Sequence, residues 1–439
     1  MRNVGRQIDI DEQIYQISTL VAGEFSLQEV LDKLAAAAVK IVGAKACSIR
    51  LLDEETNDLR MRSTYGLSEE YRNKGIVTKD DPVIMAAFAG KAVVIDDMRV
   101  DDRVHFKEAT IKEGLVSQLT VVMQFRNQPV GVLRLYSPRP KDFTERDIVL
   151  ARAVASQCAV AITNARLYAE AIAAQRFTEQ MRLAGLIQRR MIPEKPPQIK
   201  GLDIAATYIP CFDVGGDFYD FLPISQGRMV ITIADVIGKG VPAAIMMSWF
   251  RGAVQAYTEG LREPRRGPDA KAGDPTDGGK TATRTRNAIE NFNKMACMEC
   301  REGEFITLYY ATIDAIERTM TYCNCGHEPA VLLRDGQVHD LDKGGLVLGV
   351  DPNAAYEIET VELRDGDCVL FYTDGLVDAM DFNNELWGRD RMLEATKQFA
   401  HCSADLVVRN VLAYRRRFAG LARQMDDTSI IAVKVGQTR

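Results

Sequence analysis

The sequence predicts an α+β chain with an N-terminal mixed α/β domain, a long helical linker and a C-terminal β-sandwich flanked by α-helices. Three observations carry this. Helical spacing followed by about five strand-like runs fills the first 140 residues, and a proline-free helical seam then runs from Pro140 to Pro193. Beyond Gly201, seven or more strand-like runs alternate with turns and a few helices. The 439 residues leave room for two or three domains of roughly 100–200 residues. With 46% apolar and 26% charged residues, the chain is expected to be globular, which excludes disorder throughout.

Residues 8–42 read as helical. Ile14, Ile17, Leu20 and Val21 mark an N-terminal helix within 1–25, and Leu27, Val30, Leu31, Leu34, Ala38 and Ile41 continue at helical spacing until Gly43. Ala46–Leu52 and Asp58–Ser63 form a hairpin pattern about the turn 53–57. The runs 92–95, 117–125 and 130–136 complete a domain expected to span 12–168. Thr144 and Asp147 then make a capping-box start for a helix over 144–192. Its small and apolar residues Ile148, Ala151, Ala155, Cys158, Ile162, Ala165, Ala169 and Ile172 lie three and four apart, a seam expected to join two copies of the chain. The seam breaks after Ile172, and Gly185 interrupts the continuation, so both are candidate flex points. Residues 200–437 form the second domain. Its insertion 260–286 has no large aliphatic residue after Leu261 and is expected to be a flexible loop.

The charge balance and the start of the chain exclude several classes. A formal net charge of −6 without a long basic run argues against nucleic acid as a partner. Asp9 interrupts any signal-peptide core, and no run approaches the ~18 apolar residues of a membrane span, so a cytoplasmic protein is expected. The nine cysteines read as buried small residues, although Cys297/Cys300 and Cys323/Cys325 form two close pairs that could in principle hold zinc. Gly279-Lys-Thr281 lacks the first glycine of a P-loop. Gly238-Lys-Gly240-Val-Pro-Ala243 satisfies a dinucleotide fingerprint, but it follows Asp235 and sits outside any βαβ alternation.

What remains is a set of acids at strand ends and in glycine-rich turns. They are Asp217 and Asp220 in Val214-Gly-Gly-Asp-Phe-Tyr-Asp, Asp235 in Ala234-Asp-Val-Ile-Gly-Lys-Gly240, Asp374 in Tyr372-Thr-Asp-Gly-Leu-Val-Asp378, and Asp426-Asp427 before Thr428-Ser429. One such aspartate is an ordinary turn former. Several together repel one another unless a cation neutralises them, and oxygen-only donors select Mg²⁺ or Mn²⁺ over zinc. A pair of such ions can lower the pKa of a shared water and stabilise a phosphoryl centre.

With Asn324-Cys-Gly-His-Glu-Pro329 added, this series resembles, in order over about 200–436, the SpoIIE/RsbU branch of the PPM metal-dependent serine/threonine phosphatases. The resemblance implies a PPM-type β-sandwich and two Mn²⁺ or Mg²⁺ ions. It makes Asp235 the bridging ligand with the Val236 carbonyl assisting, and it places Asp374 and Asp426 on the second ion. Asp217 is implied to bind metal directly or through water, with Asp220 and Asp427 in supporting roles. It further implies hydrolysis of a phosphoprotein, a STAS-type anti-sigma-factor antagonist. The alternative is a catalytically weak scaffold that binds such a protein without turning it over. Departures from the pattern are Cys325 in place of a small residue, Trp249, the 260–286 insertion and the lack of a recognisable phosphate-gripping arginine. The first domain resembles a GAF sensor domain, chiefly through Pro129–Tyr136 and Phe143-Thr-Glu-Arg-Asp147. It lacks the cyclic-nucleotide signature, so its ligand or activator is left unknown.

Overall fold

The computed structural model describes residues 26–140, 143–261 and 277–436. The expected helix within 1–25 and residues 262–276 of the insertion lie outside them. The chain divides into two compact units, Met1–Arg176 and Phe177–Arg439.

In the first unit, α1 (Leu27–Val42) begins at a complete capping box. Ser26 accepts from the Glu29 amide, and the Glu29 side chain accepts from that of Ser26. The helix stops at Gly43, whose φ of 67° is left-handed. Strands β1 (Ala46–Asp53) and β2 (Asp58–Tyr65) follow, then α2 (Glu69–Arg72), α3 (Pro82–Phe88), β3 (Val93–Ile95) and α4 (Lys107–Lys112). The hairpin β4 (Ser117–Phe125) and β5 (Gln128–Ser137) completes an antiparallel sheet of order β2-β1-β5-β4-β3. One face is aliphatic: Cys47, Ile49, Leu119, Val121, Leu133 and Leu135 pack on α1 and on the first turns of α5 (Glu145–Arg189). The other face, beneath α2 to α4, alternates apolar with buried polar residues.

Helix α5 has 45 residues, about 68 Å of helix at ~1.5 Å per residue. The expected reciprocal cap is present, with Thr144 N donating to Asp147 Oδ2 at 3.1 Å and Asp147 N to Thr144 Oγ1 at 3.3 Å. Its early seam residues Ala151, Ala155 and Cys158 are buried with Leu150 and Val154 in the sheet's own core, so this stretch of the seam packs within its unit. Later apolar residues, including Leu167, Tyr168 and Phe177, are exposed. By length and composition alone α5 is long and apolar enough to cross a bilayer, and part of its apolar stretch is buried in the unit's core.

The second unit contains β6 (Leu202–Ile209), β7 (Phe218–Ser225), β8 (Arg228–Val236), α6 (Val241–Gly260), α7 (Asp277–Glu299), β9 (Ile306–Asp314), β10 (Thr319–Cys325), β11 (Ala330–Arg334), β12 (Gln337–Leu341), β13 (Gly344–Gly345), β14 (Glu359–Glu362), β15 (Cys368–Tyr372), α8 (Asp374–Val377), α9 (Gly388–Phe399), α10 (Ala404–Ala419) and β16 (Thr428–Val435). Two sheets, β13-β10-β9-β8-β7 with β14 on β10, and β12-β11-β15-β16-β6, face each other across a shared core. Phe250, Val254 and Phe292 of α6 and α7 cover the outer face of the first sheet, and α9 and α10 cover the second. This is the helix-flanked sandwich the strand count predicts. The insertion departs from expectation: residues 277–286 open helix α7, and Thr285 is buried. A polar helix needs few aliphatics once one stripe, here Ala288, Ile289, Phe292 and Ala296, reaches the core.

Candidate metal centre

Strand ends bring the predicted acids to one edge of the sandwich. Asp235 is the penultimate residue of β8, and the paired β9 holds its backbone through Thr307 Oγ1, which donates to the Asp235 carbonyl at 3.2 Å. Thr307 also bonds His327 Nδ1 at 2.8 Å, tying in the loop where Asn324 exchanges hydrogen bonds with the His327 backbone. Asp217 precedes β7 and is buried. Its Oδ2 accepts from Thr373 Oγ1 at 2.7 Å and Ser429 Oγ at 3.0 Å. Asp374 opens α8, directly after β15. Asp426, two residues before β16, pairs with Lys239 at 2.7 Å.

These carboxylates feel one another. Burial and then Asp374 and Asp426 push the Asp235 carboxyl up to about 7, against a hydrogen bond with Asp217. Burial, Asp426 and Asp378 push Asp374 up to about 6. Asp217 lies well above the ordinary carboxylate range because it is buried beside Asp235 and Asp427. Among the described residues no three His, Cys, Asp or Glu side chains close on one point as an ion would require. Asp217 is turned to its two hydroxyls and Asp426 to Lys239. The donor set nevertheless suits a hard divalent cation: it is all oxygen, multiply anionic, partly buried and balanced locally by Lys239. The Val236 carbonyl lies beside it, 2.8 Å from where a Cβ on Gly216 would fall.

Two further acids of the motifs are engaged elsewhere. Both Asp427 oxygens already accept backbone amides, Oδ1 from Cys211 at 2.8 Å and Oδ2 from Gly216 at 2.7 Å, so this residue anchors the Asp217 loop and is not a free ligand. Asp220 points to α6, where it pairs with Arg251 at 2.8 Å and accepts from Gln255 at 2.7 Å, away from the acidic edge. The cysteine pairs form no metal group among the described residues, and all nine cysteines are free.

Sequence reasoning missed four contributors. Thr373, Ser429 and Lys239 sit inside the acidic motifs, and a hydroxyl or ammonium next to clustered carboxylates was the available signal. Gln188, near the end of α5, had none. Its side chain clamps Gly215 from both sides, donating to the carbonyl at 2.8 Å and accepting from the amide at 2.9 Å. One turn earlier, a Cβ on Gly185 would lie 2.0 Å from the Asp213 carbonyl, so this glycine allows close approach of the loop.

A helix-flanked two-sheet sandwich with acids at its strand ends is the PP2C-type architecture, here following a GAF-type sheet domain and a long helix. Residues 225–436 match the family model described as Stage II sporulation protein E (SpoIIE), and residues 25–163 match the GAF domain model. The chain thus carries a SpoIIE-family PPM phosphatase domain and a GAF domain. The first match begins after Asp217, although β6, which pairs with β16, completes the second sheet upstream of it. Phosphoserine phosphatase RsbU of Bacillus subtilis (strain 168) is 28% identical over 239 residues, 54% of this chain and 64% of RsbU. Protein IcfG of Synechocystis sp. is 30% identical over 258 residues, 56% of this chain and 40% of IcfG. The chain therefore matches less than two thirds of the length of each. The solved SiaA-PP2C domain of Pseudomonas aeruginosa is 19% identical, with TM-score 0.48 over 60% of this chain and 98% of that one.

Proposed function

We propose that the chain is a Mn²⁺- or Mg²⁺-dependent phosphoserine/phosphothreonine protein phosphatase that acts in the cytoplasm under control of its GAF domain. The observation that carries this reading is the gathering of Asp217, Asp235, Asp374 and Asp426 at one edge, where burial and mutual repulsion raise the carboxyls of Asp217, Asp235 and Asp374 above their ordinary range. Asp235 would bridge two ions, with Asp217, Asp374, Asp426 and the Val236 carbonyl completing the donor set. When bound, the ions supply Lewis-acid charge that lowers the pKa of water and offsets charge on phosphoryl oxygens. Thr373 and Ser429 fix the rotamer of Asp217, and Asp427 and Gln188 hold the loop that carries it. Lys239, with its side chain 43% exposed, offers the cation for substrate phosphate that no arginine in the motifs supplies.

The resemblance to RsbU directs the substrate assignment to a phosphorylated STAS-type antagonist of an anti-sigma factor, with a homodimer formed through the exposed part of α5. The assigned bounds are 12–168 for the sensor domain, 144–192 for the helix and 200–437 for the phosphatase domain. Phosphate release from such a phosphoprotein should require Mn²⁺ and disappear in Asp235→Ala and Asp374→Ala; undiminished turnover in both refutes the assignment. A second reading, a binder without turnover, draws on the carboxylates that do not close on one point. It predicts tight phosphoprotein binding with no phosphate released in a single turnover at saturating Mn²⁺.

A further inference from the structure

The GAF-type sheet has a charged interior that the phosphatase reading does not use. On the face beneath α2 to α4, alternate residues of β1, β5 and β4 place Ser48, Arg50, Arg134, Gln118 and Thr120 side by side, in a register where Arg134 lies between Ser48 and Thr120. Arg50 and Arg134 are 2% and 5% exposed. Arg50 donates Nη1 to the Leu59 carbonyl at 3.0 Å, while its Nε and Nη2, and the Nε of Arg134, have no partner. Lys74 lies over the Tyr71 ring at 3.6 Å. Among the described residues no carboxylate pairs with any of these three cations. The nearby Asp81 is committed elsewhere: its Oδ1 caps α3 through Val83 and Ile84, and its Oδ2 is 3.3 Å from His105. Lys74, Gln118 and Arg134 line a narrow cavity of about 20 Å³, and a larger hollow of about 250 Å³ shares Val77, Asp81, His105 and Phe106 with it.

Burying unpaired guanidinium groups is costly, and a fold keeps them only where an anion compensates or where they serve another purpose. We propose that this cavity binds a small oxyanion, a phosphate or a dicarboxylate, held by Arg134 and Lys74 with Arg50 behind them. The planar guanidinium presents paired donors that match two oxygens of such a group. Consistent with an uncompensated site, burial and the neighbouring Arg134 and Arg50 push the Lys74 ammonium down to about 6.

The test uses the full chain in chelator, with inorganic phosphate and succinate as separate probes against chloride at equal ionic strength. At least one probe should raise the unfolding midpoint saturably and slow amide exchange over 71–83 and 98–120. Its affinity should fall tenfold or more in Arg134→Met and Arg50→Met and stay unchanged in Asp235→Ala, which separates this site from the phosphatase centre. Arg134→Met without ligand should be no less stable than the parent, because an unpaired buried charge has gone. The proposal is overturned if neither probe exceeds chloride, if the response survives Arg134→Met, or if Asp235→Ala abolishes it. Should Arg134→Met fail to fold, the exchange measurement on the unaltered protein still decides: no slowing with either probe overturns the site.

Discussion

Stripped of divalent ions, the second unit should lose stability as pH rises from 5 to 8. The Asp235 carboxyl is held at about 7 in the folded chain against an ordinary value near 3.8, and Asp374 at about 6. A group whose folded pKa is raised contributes no penalty below its unfolded pKa and loses stability as pH climbs through the folded one. Of the three units at Asp235, about two fall between pH 5 and pH 7, which corresponds to about 2.7 kcal/mol at ~1.36 kcal/mol per unit. Asp374, partly exposed, adds a solvent-screened fraction of its own shift. At about 2–4 °C per kcal/mol for a unit of this size, the unfolding midpoint in chelator should fall by about 5–10 °C across that range. Both tryptophans, Trp249 and Trp387, lie in this unit, so their fluorescence follows its unfolding alone. His327, pushed down to about 4 by burial, works in the opposite sense: its contribution is lost as pH falls from about 6.5 towards 4. It is present equally in Asp235→Asn, and comparing the two proteins cancels it. Asp235→Asn should flatten the slope, and Mn²⁺ should restore the midpoint of the parent at pH 8. Parallel pH curves for parent and Asp235→Asn in chelator would refute the argument that these acids share one uncompensated field.

Other outcomes follow from particular contacts. Asp220→Ala leaves Arg251 buried without its partner and should cost about 3 kcal/mol in urea unfolding while leaving the number of Mn²⁺ ions bound unchanged. Gly185→Ala drives a methyl into the Asp213 carbonyl, and Gln188→Ala removes two hydrogen bonds to Gly215 worth about 1–2 kcal/mol together. Each should lower turnover by disturbing the loop before Asp217, measured as kcat at saturating Mn²⁺. Lys239→Met should raise KM for the phosphoprotein more than it lowers kcat; an unaltered KM would remove Lys239 from substrate binding.

The architecture was legible because periodicity reports burial on one face. The capping box at Thr144 and Asp147, the stop at Gly43 and most of the strands follow from local spacing and turn chemistry, whereas Phe218–Ser225, Gln337–Leu341 and Glu359–Glu362 carry no such signal. The acids were legible as motifs, but their division of labour was not. Asp427 and Asp426 are adjacent in sequence, yet one faces two backbone amides and the other a lysine. Asp217 and Asp220 share one strand start, and the intervening residues turn Asp220 towards α6. The polar composition of residues 277–286 suggests a loop, and only the tertiary position of the next three turns supplies the stripe that holds this helix to the core. Gln188 and the arginines of the first sheet gave no signal, since an isolated glutamine or arginine is ordinarily a surface residue.

Calorimetric titration of the chelator-treated full chain with Mn²⁺ addresses the central claim most directly. The account predicts two ions per chain in the parent and a lower stoichiometry in both Asp235→Ala and Asp374→Ala. No manganese uptake, or the same stoichiometry in all three proteins, would contradict it.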